Sequence, residues 1–406
     1  MKKVLSILLP LIFAVSIVGC NTEADPSSMQ DSVSSQASSV ISSGGEESSE
    51  AVSSEPAPEH RLSFLGFGDN IIHGAVYHAA RVMENGKVVG HDFLPFYEDV
   101  APLIAGADIS FINQETPMCG DHRGFSNYPR FNTPQQMGKD LVTLGFDIIS
   151  VANNHMIDQG ASGLAEEIDF LDSLSVFHVG AYRNQKDYDT VRIFQKDGLK
   201  IAVLSYTFST NGLSLPSGSE LIIPWTDKNI MTRQIRAAKE LSDMVIVSVH
   251  WGDEDSFSVN QHQRSLAQMM ADEGVAVVLG HHPHVIHPIE WVEGESGNQT
   301  LVYYSLGNML NSQLRFRNMV GLIASFNICW REGEAPRIEN ASCIPTVSFH
   351  RQGFKDYRLL TLEHFTPELA AAHFSNTQES APVTVEWAKK IITDYVDVEF
   401  LPDYLK

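Results

Sequence analysis

Val275-Ala276-Val277-Val278-Leu279-Gly280-His281-His282-Pro283-His284 is a β-branched apolar run that stops at a glycine and gives way to three imidazoles. A run this short and this rich in Val reads as a buried strand rather than a helix. Five other stretches have the same form: 62–67 before Gly68-Asp69, 109–112 before Asn113-Gln114-Glu115, 146–151 before Asn153-Asn154-His155, 244–249 before His250-Trp251-Gly252, and 301–304 before Ser305-Leu306-Gly307-Asn308. Open α/β sheets bind ligands at the carboxyl ends of their strands. Polar residues scattered over the sequence are therefore expected to meet on one rim.

Helical patterns lie between the strands. Thr133 and Pro134 suit the N-cap and first position of a helix running through Met137, Leu141 and Leu144 to Gly145. Residues 161–174, 228–241 with Asp227 as cap, and 261–273 closed by Gly274 read likewise. Residues 191–194 and 201–206, flanking Lys196-Asp197-Gly198, read as a hairpin. The expected fold class is α/β, a sandwich of two sheets flanked by helices, and no internal repeat is visible.

Lys2 and Lys3 precede an apolar stretch over 4–18, the layout of a secretory signal. Ile17-Val18-Gly19-Cys20 has the form of a bacterial lipobox, although an ordinary signal peptide also fits. Diacylation of Cys20 would hold the protein at the extracellular face of the cytoplasmic membrane, since more than one acyl chain anchors stably. Residues 21–60 are rich in Ser and Glu and poor in large apolar side chains, so a disordered linker is expected there. Residues 61–345 are expected to form the main domain, and 346–406 a C-terminal extension packed on it. The formal net charge of −22 argues against nucleic acid as a partner. Cys119, Cys329 and Cys343 remain besides Cys20; the last two could pair across a hairpin.

The strand ends offer Asp69, Glu115, Asn154, His250, His282 and His284 as a mixed nitrogen and oxygen ligand set. Such a set suits Mn, Zn or Fe, and its size suits one or two divalent ions. Paired ions of this kind clamp phosphoryl or carbonyl centres. His155 is placed as a general acid beside the ligands, and Glu254 is a second acid–base candidate. Simpler roles also fit: Asp69 could cap a helix, Asn113 and Asn308 could bond backbone in turns, and Trp251 could be packing. Residues 120–132 and 207–224 are candidate cleft loops; Arg123 and Arg130 in the former could meet an anionic substrate, although surface arginines usually do not.

Gly68-Asp69, Asn113-x-Glu115, Ala152-Asn153-Asn154-His155 with Asp158-x-Gly160, His250-Trp251-Gly252-x-Glu254, Gly280-His281-His282-Pro283-His284-Val285 and Tyr304-Ser305-Leu306-Gly307-Asn308 together resemble the ordered signature of the CapA family. That group serves poly-γ-glutamate capsule biosynthesis, and the resemblance runs from about residue 62 to 311. The family is similar in turn to calcineurin-like metallophosphoesterases. This implies a two-sheet sandwich with a dinuclear site, Asp69 as first metal aspartate, Glu115 as bridging carboxylate, Asn154 with His155 as the Asn-His pair, and His250, His282 and His284 as histidine ligands. It also implies work with a polymer-synthesis complex or an anionic capsule polymer, or alternatively a hydrolase acting on wall or capsule material. Two departures stand out: Ile71 occupies the place where phosphoesterases carry a histidine, and Glu115 follows Gln114 where they carry Gly-Asp. Changing Cys20→Ser is expected to abolish lipid labelling of the protein in cells; labelling that persists would overturn the lipobox reading.

Overall fold

The computed structural model describes residues 58–406, so the expected signal peptide, Cys20 and nearly all of the expected linker lie outside the described residues. The strands are β1 (His60–Asn70), β2 (Arg81–Glu84), β3 (Lys87–His91), β4 (Ile109–Gln114), β5 (Ile148–Ser150), β6 (Phe177–Val179), β7 (Ile193–Lys196) and β8 (Leu199–Thr207). They continue with β9 (Met244–His250), β10 (Val277–His281), β11 (Ile289–Glu293), β12 (Gln299–Tyr303), β13 (Val320–Trp330), β14 (Arg337–Arg351) and β15 (Lys355–Thr361). One sheet has seven strands in the order β15-β14-β13-β1-β4-β5-β6, and a second has six in the order β11-β12-β10-β9-β8-β7. β2 and β3 form a separate hairpin.

Side chains alternate across a strand, and this sorts the apolar residues into three layers. Leu62, Phe64, Ile109 and Phe111 of the first sheet face Ile201, Val203, Ile246, Val277 and Leu279 of the second. Their neighbours Leu65, Phe67 and Ile112 point outward onto Leu141, Leu164, Ile168 and Leu171. On the far side, Val245, Val247 and Val278 meet Met231, Ile235, Leu266 and Met270. Each fully buried Leu, Ile or Phe contributes about 1.5–3 kcal/mol. The expected two-sheet α/β sandwich flanked by helices is the observed architecture, and strands buried on both faces explain the unbroken apolar runs.

The helices Lys228–Leu241 and Gln261–Asp272 start as expected, capped by the side chains of Asp227 and Asn260, the latter in a capping box with Gln263. The hairpin β7–β8 is also present. The helix expected to begin at Pro134 instead spans Gln136–Leu144. Thr133 does not cap it: its N–H is drawn to the Pro117 carbonyl at 2.8 Å, and Pro134 sits in a preceding turn closed by Met137 N–H at 3.0 Å.

The expected division at 345/346 falls inside β14. Residues beyond it supply the edge strand β15 and the helices Pro367–Ala372 and Val385–Tyr395, and Ala370, Ala388 and Ile392 are buried in the layer between the sheets. They therefore complete the core. Cys119, Cys329 and Cys343 are free and buried. Cys343 lies opposite Ala324 and Cys329 opposite Arg337, so the β13–β14 register keeps those two apart.

Candidate metal centre

β1, β4 and β5 run parallel in the first sheet, and β8, β9, β10 and β12 run parallel in the second. Their carboxyl ends share a rim because two glycines let backbone pass where a side chain would stand. A Cβ on Gly68 would lie 2.1 Å from the Gly307 carbonyl oxygen, and one on Gly280 would lie 2.2 Å from that of Tyr304. Asp69 N–H donates to Gly307 O at 2.9 Å, and Met309 N–H donates to Asp69 O at 2.8 Å. The segment after β12 is thus laced onto the end of β1. Asp69 caps no helix.

All six expected ligands converge and are buried. The Asp69 carboxylate accepts from the His282 backbone N–H at 2.9 Å and from Asn113 Nδ2 at 2.8 Å. Its other neighbours are His284 Nδ1 at 3.5 Å and His281 Nδ1 at 3.2 Å. His284 Nε2 is 3.7 Å from Glu115 Oε1, and His250 Nε2 is 4.0 Å from the same oxygen. His250 Nε2 also lies 3.1 Å from Asn154 Oδ1 and 3.1 Å from His282 Nδ1. Two sets have the spacing for an ion: Asp69 with Glu115 and His284, and Glu254 with His282 and His284, where Glu254 is the exposed member.

The cluster holds too few protons for its lone pairs. Among the described residues, both Glu115 oxygens and His250 Nδ1 have no hydrogen-bond partner. Orphans of this kind cost about 1–3 kcal/mol each. Burial drives the Glu115 carboxyl well above its ordinary value, against the pull of His284. Burial would also raise Asp69, yet contacts with His281 and His284 hold it well below the usual range. His284 is lifted to about 10: burial works downward, but Glu115 and Asp69 outweigh it. Burial and the neighbouring His284 push His282 down to about 3. A buried set of lone pairs with opposed protonation is what a divalent cation satisfies, so these residues fit the expected ion.

The loop after β10 is bent to present them. His282 and His284 flank Pro283 and adopt φ of 97° and 58°, left-handed conformations that cost a non-glycine residue about 1–3 kcal/mol. Beside the cluster, His155 Nδ1 pairs with Asp158 Oδ2 at 2.7 Å. The same oxygen accepts from Phe131 N–H at 2.7 Å, and the Phe131 ring stands edge-on to His155 at 4.7 Å. Asn153 Oδ1 accepts the His155 N–H at 2.9 Å.

Several participants escape sequence reasoning. His281 stacks near Phe111 and braces Asp69 from the strand side. Asn113 and Asn308 do more than bond backbone: the first holds Asp69, and the second places Oδ1 3.0 Å from His284 Nδ1. Asp158 could have been picked out by its position three residues after His155. Ile71 is core, 3% exposed, and His73 accepts a backbone N–H from Ser312 and stands edge-on to Phe131 at 5.5 Å. Trp251 is packing, stacked on Tyr304 with its indole N–H on the Tyr304 carbonyl. Arg123 is engaged by Glu166 through two contacts of 2.7 and 2.6 Å.

A family model described as bacterial capsule synthesis protein PGA_cap matches residues 63–313. The chain is 31% identical over 221 residues to the PGA biosynthesis protein CapA of Bacillus subtilis, covering 53% of this chain and 57% of that protein. It is 26% identical over 250 residues to the capsule biosynthesis protein CapA of Bacillus anthracis, covering 59% of each. The matches therefore span less than two thirds of these relatives' lengths. Among solved structures, a calcineurin-like phosphoesterase from Bacillus subtilis, YfkN, is similar at 12% identity and TM-score 0.41, over 83% of this chain and 97% of that one.

Gly68→Ala is expected to push the 305–308 segment off β1, destabilising the fold by about 1–3 kcal/mol or more and lowering metal retention. Thermal unfolding and metal analysis of the variant check this. An unchanged melting temperature would show that the close approach is not required.

Proposed function

Because the chain belongs to the bacterial capsule synthesis family PGA_cap, we propose that it acts outside the cell in making, exporting or anchoring an anionic capsule polymer of the poly-γ-glutamate type. It does so as a lipoprotein held through Cys20, using a site that carries a divalent transition metal. The convergence of Asp69, Glu115, Asn154, His250, His282 and His284 is the observation that carries this reading.

Asp69, Glu115 and His284 would hold one ion, and His282, His250, Asn154 and Glu254 would complete its shell or hold a second, giving on the order of one or two Mn, Zn or Fe per chain. When bound, such ions polarise a phosphoryl or carbonyl oxygen. The chain's own residues do the rest. Asp158 holds the His155 ring through Nδ1 and leaves Nε2 to exchange a proton with a leaving group. Phe131 walls that ring against water. Asn113 and the His282 N–H fix the Asp69 carboxylate.

A second reading, a surface metal-dependent phosphoesterase or amide hydrolase acting on wall or capsule material, is favoured by the His155–Asp158 pair, which a pure binding protein does not need. Residues that only bind a polymer have no use for an oriented imidazole.

Purified protein reconstituted with manganese or zinc is expected to retain metal. His282→Ala and His250→Ala should lower the content strongly, and His262→Ala should leave it unchanged. Since His284 is lifted to about 10, metal uptake at neutral pH should displace its proton, and apparent affinity should rise with pH. Calorimetry in buffers of different ionisation enthalpy reads that proton. No retained metal in the parent protein would remove the basis of the proposal.

His155→Ala is expected to keep its metal and lose about 10²–10⁴-fold in turnover on phosphoesters or γ-glutamyl peptides. The loss should be smaller for aryl phosphates, whose leaving group needs no proton. Equal losses on both substrate types would argue against an acid role for His155.

A further inference from the structure

The protein is acidic, with 50 Asp and Glu against 28 Lys and Arg, and its guanidinium groups are almost all taken. Arg61, Arg123, Arg183, Arg192, Arg233, Arg236, Arg264, Arg315, Arg317, Arg331, Arg337, Arg351 and Arg358 each lie within 3.8 Å of a carboxylate oxygen. Arg81 and Arg130 have no such partner among the described residues, and both are exposed. Among the arginines of the described residues, these two are the exceptions.

Arg130 stands on a segment that borders the ligand cluster, and Arg81 on one tied to that segment. Arg130 directly precedes Phe131, whose ring touches His155. Its loop is held in shape: Ser126 and Asn132 exchange backbone hydrogen bonds of 3.1 and 3.2 Å, Ser126 Oγ donates to Arg130 O at 2.7 Å, and Asn132 Nδ2 donates to Gly124 O at 2.7 Å. Arg81 opens β2, one short helix (Gly74–Ala79) after the end of β1. In register it faces His91, whose ring stands edge-on to Phe125 of the Arg130 loop at 5.0 Å. The start of that helix is tied to the same loop by Gly74 N–H donating to Asn127 Oδ1 at 2.9 Å. The two arginines therefore sit on two linked segments beyond the carboxyl ends of β1 and β4.

We propose that Arg81 and Arg130 form the anion-recognising rim of the metal centre, engaging successive negative groups of an anionic polymer so that one repeat reaches His155. The guanidinium fork matches carboxylate and phosphate oxygens two at a time. On a protein of net negative charge, positive charges on these linked segments also favour landing of a polyanion there. This deepens the proposed function and rests on it for the nature of the site.

The test is binding of two fluorescent probes, a γ-linked glutamate oligomer and a glycerol-phosphate oligomer of equal charge, to the full chain with metal, at rising salt. The parent protein should bind at least one, more weakly as salt increases. Arg81→Gln with Arg130→Gln should weaken binding about tenfold or more, about 1.4 kcal/mol per factor of ten. Arg130→Lys should recover part of the loss, because charge remains while the fork does not. Preference for one probe identifies carboxylate or phosphate as the anion. Unchanged affinity in the double variant, or no binding of either probe by the parent protein, overturns the proposal. Metal content is measured on the same samples: a metal-loaded double variant with parental affinity sinks the rim alone, whereas binding by a parent protein that retains no metal sinks the metal reading and leaves the arginines in place.

Discussion

The rim depends on one close contact between backbones. Sheets packed face to face stand about 10 Å apart, too far for a side chain of one to share an ion with a short carboxylate of the other. Here the chain leaving β12 crosses that gap, and Gly68 and Gly280 leave room for it. Asp69, from the seven-stranded sheet, is thereby bonded through its backbone to Gly307 and Met309, which follow the six-stranded one. The two histidines after β10 then reach the aspartate, and Asn308, from the crossing segment, reaches His284.

What the contact assembles is unfavourable by itself. Two carboxylates and several imidazoles are buried together with unpartnered lone pairs, and two of the histidines hold strained backbone. Burial of ionisable groups is costly unless they are paired or ligate a metal. The layers of Ile, Leu, Val and Phe on either side of each sheet offset that cost and hold the groups where they are. Perturbed protonation in such a setting marks a functional site more often than a structural one.

Departure from the phosphoesterase pattern at Ile71 has a structural counterpart. That side chain belongs to the core. His281, at the end of β10 in the opposite sheet, approaches Asp69 with Nδ1 at 3.2 Å. Its ring stacks near Phe111 at 5.9 Å. The ligand set is thus lopsided, with its histidines and Glu254 drawn from the six-stranded sheet and Asp69, Glu115 and Asn154 from the seven-stranded one.

The sequence by itself determined the strands that carry the site, the fold class and the ligand candidates. Strand periodicity and abrupt polar ends are local properties, readable from runs such as 244–249 before His250 and from the glycine at position 280. The family pattern, ordered over most of the chain, was equally legible. Pairing across the structure was not. Nothing local tells that Thr133 would bond Pro117 in place of capping a helix, that β14 would run through residue 345, or that Cys329 and Cys343 would fall out of register. Only the tertiary structure decided that Asn113 and Asn308 serve the metal-type residues, that Asp158 orients His155, and that Arg123 is committed to Glu166 while Arg130 is not. Each of those facts is a contact between residues distant in sequence or a choice among several equally suitable partners, and such choices are fixed by how two sheets meet rather than by any residue's neighbours along the chain.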